Sequence, residues 1–287
     1  MDLDILQQNY RLPFLIEKNL AKYDGDFAHK WQAIRHNNHA GQAIQLAAGV
    51  LLLLCQRSDH VSDAGEPGAW VLQLIKRSSR VTQRGDVSCP GGMLHPLIDW
   101  AFGLFFIRSG FLSHSLLSVG SSLAKTASVN KNIISLFLAN ALRESWEELH
   151  LNPLHVSLLG ALPTYSLHLF RRTIFPLVAI VRNDWTPIPN PEVDKIIEIP
   201  LTSFFREDSY GRYVIQASET LPSPDQGPWE FPCLIHEDDQ GEEILWGATF
   251  YIIMNFLRIV FGFQLPDLRS RRIREKTLNP DYLTGNR

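Results

Sequence analysis

Three glutamates lie close together in the segment Arg143-Glu144-Ser145-Trp146-Glu147-Glu148. At about 3.6 residues per turn, Glu144, Glu147 and Glu148 share one arc of a helix, about 100° wide. Neighbouring carboxylates repel each other unless a positive charge lies between them. Hard divalent cations prefer oxygen ligands, so the triplet indicates a metal site. A solvated acidic helix face has the same pattern, and spacing alone leaves both interpretations open.

The helix that must carry this triplet is predicted over residues 133–149, and Arg143 lies one turn before Glu147, where it can pair with that carboxylate. Five residues recur at helical spacing on another face, which we expect to be buried: Leu138, Ala141, Leu142, Ser145 and Leu149. The acidic arc and the buried face are therefore separate.

The strands that would support this helix begin with residues 47–55 (AAGVLLLLC), whose almost continuous apolar run is typical of a strand buried on both faces. Residues 70–75 form a second strand, and the two predict a hairpin. Further strands are expected at 156–162, 175–181, 195–199, 231–236 and 243–246, with a helix near 248–261. Many strands and few helices indicate one domain of the α/β (α+β) class.

We expect a helical extension over residues 1–42, the main domain over 43–265, and a basic C-terminal tail over 266–287, in which residues 269–276 are frayed. Residues of about 99–131 form an apolar stretch that we expect to be helical. With a net charge of -3, the chain offers no electrostatic argument for a nucleic-acid partner. No segment predicts a membrane span, so membrane contact is not expected. The three scattered cysteines and the absence of a leader pattern favour the cytoplasm.

Two segments of the chain resemble the Nudix box, whose pattern is G-x5-E-x7-R-E-U-x-E-E-x-G-U. Pro90-Gly91-Gly92 resembles its start, and Arg143 to Leu151 matches its end, with His150 in the position of the last glycine. The chain between them is longer than the pattern, which we interpret as an insertion of roughly thirty to forty residues in a loop. Asp99 lies one residue beyond the position of the loop acid and is the candidate to replace it.

The wider chain is similar to the coenzyme A diphosphatase branch of that family. The similar segments are residues 76–92, 159–165, 189–193, 197–201 and 244–249. Gln83 and Asp86 stand where the branch has a His and a Gln, and Cys89 replaces a Phe. These departures concern the signature of the branch more than that of the hydrolase family.

The resemblance implies an α/β/α sandwich with a mixed sheet. It also implies a hydrolase dependent on Mg²⁺ or Mn²⁺ that cleaves the pyrophosphate bond of coenzyme A, acyl-CoA or a related nucleoside diphosphate derivative. On the matching positions, Glu144, Glu147, Glu148 and Asp99 would be the metal ligands. The three glutamates and Arg143 would be catalytic, and the substrate would contact Gly91, Gly92 and Glu192.

Two alternatives remain from the sequence. The substrate class includes ADP-ribose and dinucleotides, and the broken spacing of the box is also compatible with a catalytically impaired binding module. The partner in each case is a nucleotide-containing small molecule. For the insertion, a lid or acyl-chain groove, a homodimer interface and a simple addition of helices are all open.

Overall fold

The computed structural model describes Leu6, residues 11–23, 25–40, 43–57, 69–108, 124–167, 170–181, 185–217, 228–278 and Tyr282, with the backbone alone for 106–107, 124–129, 217 and 278. The helices in this part of the chain are α1 (Arg11–Leu20), α2 (Phe27–His39), α3 (Pro96–Arg108), α4 (Ala124–Leu149) and α5 (Gly247–Phe261). The strands are β1 (Leu46–Arg57), β2 (Ala69–Arg77), β3 (Val87–Ser88), β4 (Gly91–Met93), β5 (Val156–Ala161), β6 (Tyr165–Leu167), β7 (Arg172–Val181), β8 (Val193–Pro200), β9 (Tyr210–Ala217), β10 (Trp229–Asp238), β11 (Gly241–Trp246) and β12 (Arg272–Leu278).

The strands form two mixed sheets. In the larger sheet the order is β3-β2-β1-β7-β5, with β4 paired to β1, β6 to β7 and β8 to β2. Strands β1 and β7 are parallel, and the other pairs are antiparallel. The smaller sheet has the order β11-β10-β9-β12, in which only β12 and β9 run parallel. The predicted pairing of the first two long strands is therefore confirmed.

Helices cover both faces of the larger sheet because β1 is apolar on both sides. Leu52 and Leu54 belong to the core cluster that includes α1 and α5. Leu51 and Leu53 belong to the opposite cluster, which includes α2 and α4. Successive side chains of a strand point to opposite faces, so an unbroken apolar run supplies two cores at once. This three-layer arrangement confirms the expected α/β class and the α/β/α sandwich.

The two N-terminal helices take part in the core rather than lying only on its outside. Leu12 and Ile16 of α1 and Phe27 of α2 are almost completely buried. Phe27 packs edge-on against Phe175 of β7, with ring centroids 5.0 Å apart. The segment preceding the predicted main domain is thus an integral part of both outer layers.

Helix α4 begins earlier than predicted, at Ala124, and α3 packs beside it. The described part of the proposed insertion is therefore helical, whereas 109–123 lie outside the described residues. Helix α3 exposes large apolar side chains, namely Leu97, Ile98, Trp100, Phe102 and Phe105. Within the described residues, no helix combines the length and apolar character needed to cross a bilayer.

The prediction of a frayed basic tail is wrong for residues 272–278. This segment forms β12, which pairs in parallel with β9 over seven residues. Two of its basic side chains pair with acidic residues of the same sheet: Arg272 contacts Glu237 of β10, and Arg274 contacts Glu242 of β11. Such long-range charge pairing is not visible in local composition, which is why the segment resembled a solvated tail.

Candidate active site

The glycine turn and the acidic helix meet at the edge of the larger sheet. Strand β4 pairs with β1, placing Gly92 opposite Gly49. A Cβ atom on Gly92 would lie 2.4 Å from Cδ of Glu144, and one on Gly91, where φ is 139°, would lie 2.3 Å from the Gly49 carbonyl oxygen. Only glycine permits this approach, so the turn and the carboxylate are in direct contact.

Glu148 is the most buried of the three helix carboxylates, with 6% of its surface exposed. Its Oε2 accepts a hydrogen bond from the Gly91 backbone N–H at 2.9 Å. Burial raises the pKa of Glu148 to about 8, and the neighbouring Glu144 charge adds to that increase. Burial also raises the pKa of Glu144, against the opposing influence of Arg143. Two carboxylates that are costly to ionise together favour a cation between them.

Arg143 connects the other acidic side chains. Its guanidinium donates to Glu144 Oε1 at 2.8 Å, to Glu147 Oε1 at 3.0 Å and to Asp99 Oδ1 at 2.8 Å. Burial lowers the pKa of Arg143, but the hydrogen bonds to Asp99 and Glu147 outweigh it, so the net shift is upward. The expected pairing of Arg143 with Glu147 is present. Arg143 is thus a fixed positive charge beside Glu144.

Asp99 is completely buried at the beginning of α3. Its Oδ1 accepts from Arg143 Nε, while its Oδ2 accepts from the His95 backbone N–H at 2.7 Å. Both oxygens therefore have donors from the protein itself. The structure places Asp99 behind Arg143, and it is absent from the described lining of the cavity.

Glu147 differs from its two neighbours because 53% of its side chain is exposed and its partner is Arg143. Only Glu144 and Glu148 of the triplet line the cavity. Among the described side chains, no three His, Cys, Asp or Glu groups converge closely enough to hold a metal ion. Two carboxylates nevertheless suit Mg²⁺, which commonly takes one or two from the protein and completes its shell with water and phosphate oxygens.

His150, which stands at the glycine position of the box, ends helix α4 with φ of 54°. Its backbone N–H donates to the Trp146 carbonyl at 2.9 Å. Its ring Nδ1 contacts the Ile188 carbonyl at 3.0 Å. The left-handed conformation explains why glycine suits this position, and a histidine there is strained.

A cavity of 660 Å³ opens beside Glu144 and Glu148, within the range of small-ligand sites. Gly91, Gly92 and Glu192 line it too, so the structure brings the predicted substrate residues together. The loop of Glu192 is held by hydrogen bonds from Asn190 N to Glu148 O and from Ser78 N to Glu192 O. Aromatic side chains from both sheets, from α5 and from the chain after β12 form much of the wall: Tyr165, Tyr251, Trp229, Phe231, Trp246 and Tyr282.

Two arginines that line the cavity were not predicted from the sequence as site residues. Arg77 ends β2 and Arg172 begins β7, and both line the cavity. The only sequence feature that could have indicated Arg172 as a site residue is its position as a cation at the start of a mostly apolar strand. Local pattern could not show that this end of the strand faces the same cavity as Glu148.

Asp86, which stands where the coenzyme A diphosphatase branch has another residue, holds several side chains together at the wall of the cavity. Its carboxylate accepts hydrogen bonds from Trp246 Nε1 at 3.3 Å, from Lys276 Nζ at 3.0 Å and from the Tyr282 hydroxyl. The C-terminal strand and Tyr282 are thereby joined to the loop that precedes the glycine turn. Asp86 is saturated by protein donors and has a structural role here.

No family model matches the chain. Solved structures that are similar to part of it include the following three. The Nudix hydrolase RenU from M. smegmatis is 14% identical over 54% of this chain and 70% of its own, with a TM-score of 0.30. A C. elegans Ap4A hydrolase in a binary complex is 13% identical over 56% of this chain and 83% of its own, with a TM-score of 0.32. The NUDIX domain of Shewanella oneidensis NrtR, complexed with ADP ribose, is 14% identical over 62% of this chain and 85% of its own, with a TM-score of 0.33. Identity and TM-score are both low, so this likeness carries no argument about activity or ligand.

Proposed function

We propose that this chain is a Nudix-type hydrolase that uses Mg²⁺ or Mn²⁺ to cleave the pyrophosphate bond of a nucleotide-containing small molecule. The observation that carries the proposal is the contact between the glycine turn and the acidic helix. Gly91 donates to Glu148, and Gly92 lies against the Glu144 carboxylate. Both carboxylates line one cavity of ligand size.

The donor set suits a hard divalent cation, with Glu144 and Glu148 as its ligands. A bound Mg²⁺ or Mn²⁺ would neutralise phosphate oxygens and favour attack by water. Hydrolysis adds water to one phosphorus, breaks the bridging P–O bond and gives two phosphomonoesters, and the displaced proton passes to a carboxylate or to solvent. Arg143 holds Glu144 in position through their 2.8 Å ion pair. The glycine turn leaves room for the reacting phosphate because it carries no side chains.

We propose roles for the remaining acidic residues on the same geometry. Asp99, buried and bonded to Arg143, is a positioning residue for that guanidinium rather than a metal ligand. Glu147 would join the metal site only after leaving Arg143. Glu192 lies at the cavity and contacts substrate.

Coenzyme A or an acyl-CoA is the substrate that we favour. The motif order across residues 76–249 supports it, and so do the volume of the cavity and its aromatic wall, which suits a nucleotide base. ADP-ribose and dinucleotides contain the same reacting pyrophosphate and are the alternatives. The buried, unpaired state of Cys55, Cys89 and Cys233 supports our placement of the chain in a reducing cytoplasm.

A binding module that does not hydrolyse its ligand is the second candidate. The specific observation in its favour is that Glu147 faces away from the cavity and is occupied by Arg143. Such a module would retain ligand affinity without turnover.

A product-mass assay tests the proposal. Protein with Mg²⁺ or Mn²⁺ is incubated with coenzyme A, acyl-CoA, ADP-ribose, NADH and diadenosine polyphosphates, beside Glu148→Gln and Glu147→Gln. We expect cleavage of one substrate class and a loss of at least roughly 100-fold in Glu148→Gln. The loss in Glu147→Gln should be smaller, and Glu237→Gln, an exposed site on β10, should match the parent. Ligand binding without turnover in the parent would instead support the binding module.

A further inference from the structure

Arg172 is a partly buried cation that has no anionic partner among the residues that the structure describes. It is the first residue of β7, where its neighbours across the strands are Leu46 and Leu167. In the described part of the chain its guanidinium has no ion pair, and its Nε is buried without a hydrogen-bond acceptor. Burial lowers the pKa of Arg172, and the charge of Arg77 lowers it further. Buried charges are normally paired, so Arg172 is an exception that calls for an anion.

Arg77 lies near enough to influence both Arg172 and Glu148. Its positive charge lowers the pKa of Arg172 and the pKa of Glu148, so Arg77 interacts with the arginine and with the acidic end of the cavity. Its Nε donates to the Thr82 carbonyl at 2.9 Å. Two guanidiniums that repel each other in one cavity gain most from a dianion that contacts both.

Three of the four carboxylates that line the cavity already have other donors, and among them Glu144 accepts from Arg143. Asp86 accepts from Trp246, Lys276 and Tyr282, and Glu148 accepts from Gly91. None of these acids has a hydrogen bond with Arg172 within the described residues. No residue in the described part of the chain supplies an acceptor for Arg172, so its place in the cavity is suited to an anion of the ligand.

An aromatic pair lies next to Arg172. Strands β6 and β7 place Leu167 opposite Arg172 and Tyr165 opposite Ile174, so Tyr165 is on the same face as Arg172 and two residues along. The Tyr165 ring stacks on Tyr251, with centroids 5.7 Å apart and planes 14° apart. An arginine beside a flat aromatic surface is suited to a phosphate attached to a nucleoside.

We infer that Arg172, assisted by Arg77, binds a phosphomonoester on the nucleoside part of the ligand, separate from the pyrophosphate at Glu144 and Glu148. This inference rests on the proposed function and narrows it to nucleotides that carry an extra phosphate on the sugar. A guanidinium recognises such a group by paired N–H···O bonds. Arg172 is in this sense a specificity-determining residue.

Calorimetric titration without metal tests the inference, because it needs neither turnover nor the cation. The 287-residue chain in EDTA is titrated with adenosine 3′,5′-bisphosphate and with 5′-AMP. We expect the parent to bind the bisphosphate at least roughly tenfold more tightly, and Arg172→Gln to bind both alike. Arg172→Lys should retain part of the preference for the bisphosphate, because lysine keeps the positive charge but lacks the paired N–H donors of the guanidinium. Arg171→Gln changes the exposed arginine next to it and should behave as the parent.

Thermal denaturation separates this role from a structural one. Removal of an unpaired buried charge should leave Tm unchanged or raise it, so Arg172→Gln should fold at least as stably as the parent. Equal affinity of the parent for the two nucleotides, failure to bind either, or an unchanged preference in Arg172→Gln would each overturn the inference. A parent that binds the bisphosphate selectively but hydrolyses nothing would contradict only the proposed hydrolysis.

Discussion

The backbone N–H of Gly91 donates a hydrogen bond of 2.9 Å to Oε2 of Glu148, a residue 57 positions later in the chain. This bond joins the two halves of a motif that the sequence separates. The intervening α3 packs against α4 and leaves the contact intact. Extra chain length in a connecting loop therefore costs the site little, because loop-closure entropy grows only slowly with length.

The contact between Gly92 and Glu144 predicts the effect of adding one methyl group. In Gly92→Ala the Cβ would overlap the Glu144 carboxylate, so the carboxylate or the turn must move. We expect hydrolysis to fall on the order of 100-fold, as for a displacement of about 1 Å at a reacting centre. Initial rates on the preferred substrate measure it. Gly25→Ala, where an added Cβ meets nothing within 4 Å, is the matched control. Equal rates in the two variants would contradict the geometry.

Asp99→Asn distinguishes a metal ligand from a positioning residue. Loss of the buried carboxylate weakens its bond to Arg143, and we expect a decrease in the free energy of unfolding of about 1.5–3 kcal/mol. Metal affinity should change by less than about threefold, because Asp99 does not line the cavity. Urea denaturation and a metal titration give the two quantities. A large fall in metal affinity without loss of stability would restore Asp99 as a ligand.

Asp86→Asn tests the attachment of the C-terminal strand. The carboxylate accepts hydrogen bonds from Trp246, Lys276 and the Tyr282 hydroxyl. A hydrogen bond to a charged group contributes about 1.5–3 kcal/mol to the free energy of unfolding. We expect a lower urea midpoint and faster proteolysis of the segment after β11. Asp194→Asn, at an exposed position of β8, is the control. An unchanged midpoint in Asp86→Asn would show that the strand is held by backbone pairing alone.

His236 predicts a pH dependence of stability. Burial lowers its pKa, opposed by Asp238, Glu243 and Glu237, whereas Lys195 assists the decrease. A histidine with a depressed folded-state pKa contributes stability that is present above the unfolded value of 6.5 and lost as pH falls below it. The urea midpoint of the parent should therefore fall more between pH 7.5 and pH 5.5 than that of His236→Gln. Parallel curves for the two proteins would refute this assignment.

Much of the core could be predicted because its signal is local. The run Leu51 to Leu54 could be buried only if both faces of a strand were covered, and both are. The predicted buried face of the acidic helix is confirmed as well, since Leu138, Ala141, Leu142, Ser145 and Leu149 are all buried. Periodicity reports which side of an element is buried, and here it was sufficient.

The division among the three glutamates could not be predicted. At about 100° per residue, Glu147 lies about 40° from Arg143 around the helix and about 100° from Glu148. The shared arc is therefore wide enough for one end to face Arg143 and the other to face the cavity. Which end does so depends on where β4 crosses the helix, and this is a long-range property. The same reason hides Arg172 and the pairing of β12 with β9.

The most direct test of the central claim is a Mn²⁺ titration followed by electron paramagnetic resonance. We expect the parent to bind Mn²⁺ without substrate, and Glu144→Gln and Glu148→Gln each to weaken binding by more than about tenfold. Glu147→Gln, whose carboxylate lies outside the cavity, should retain affinity within about threefold. Absence of Mn²⁺ binding in the parent, or equal binding in all four proteins, would contradict a metal site at the junction of the glycine turn and α4.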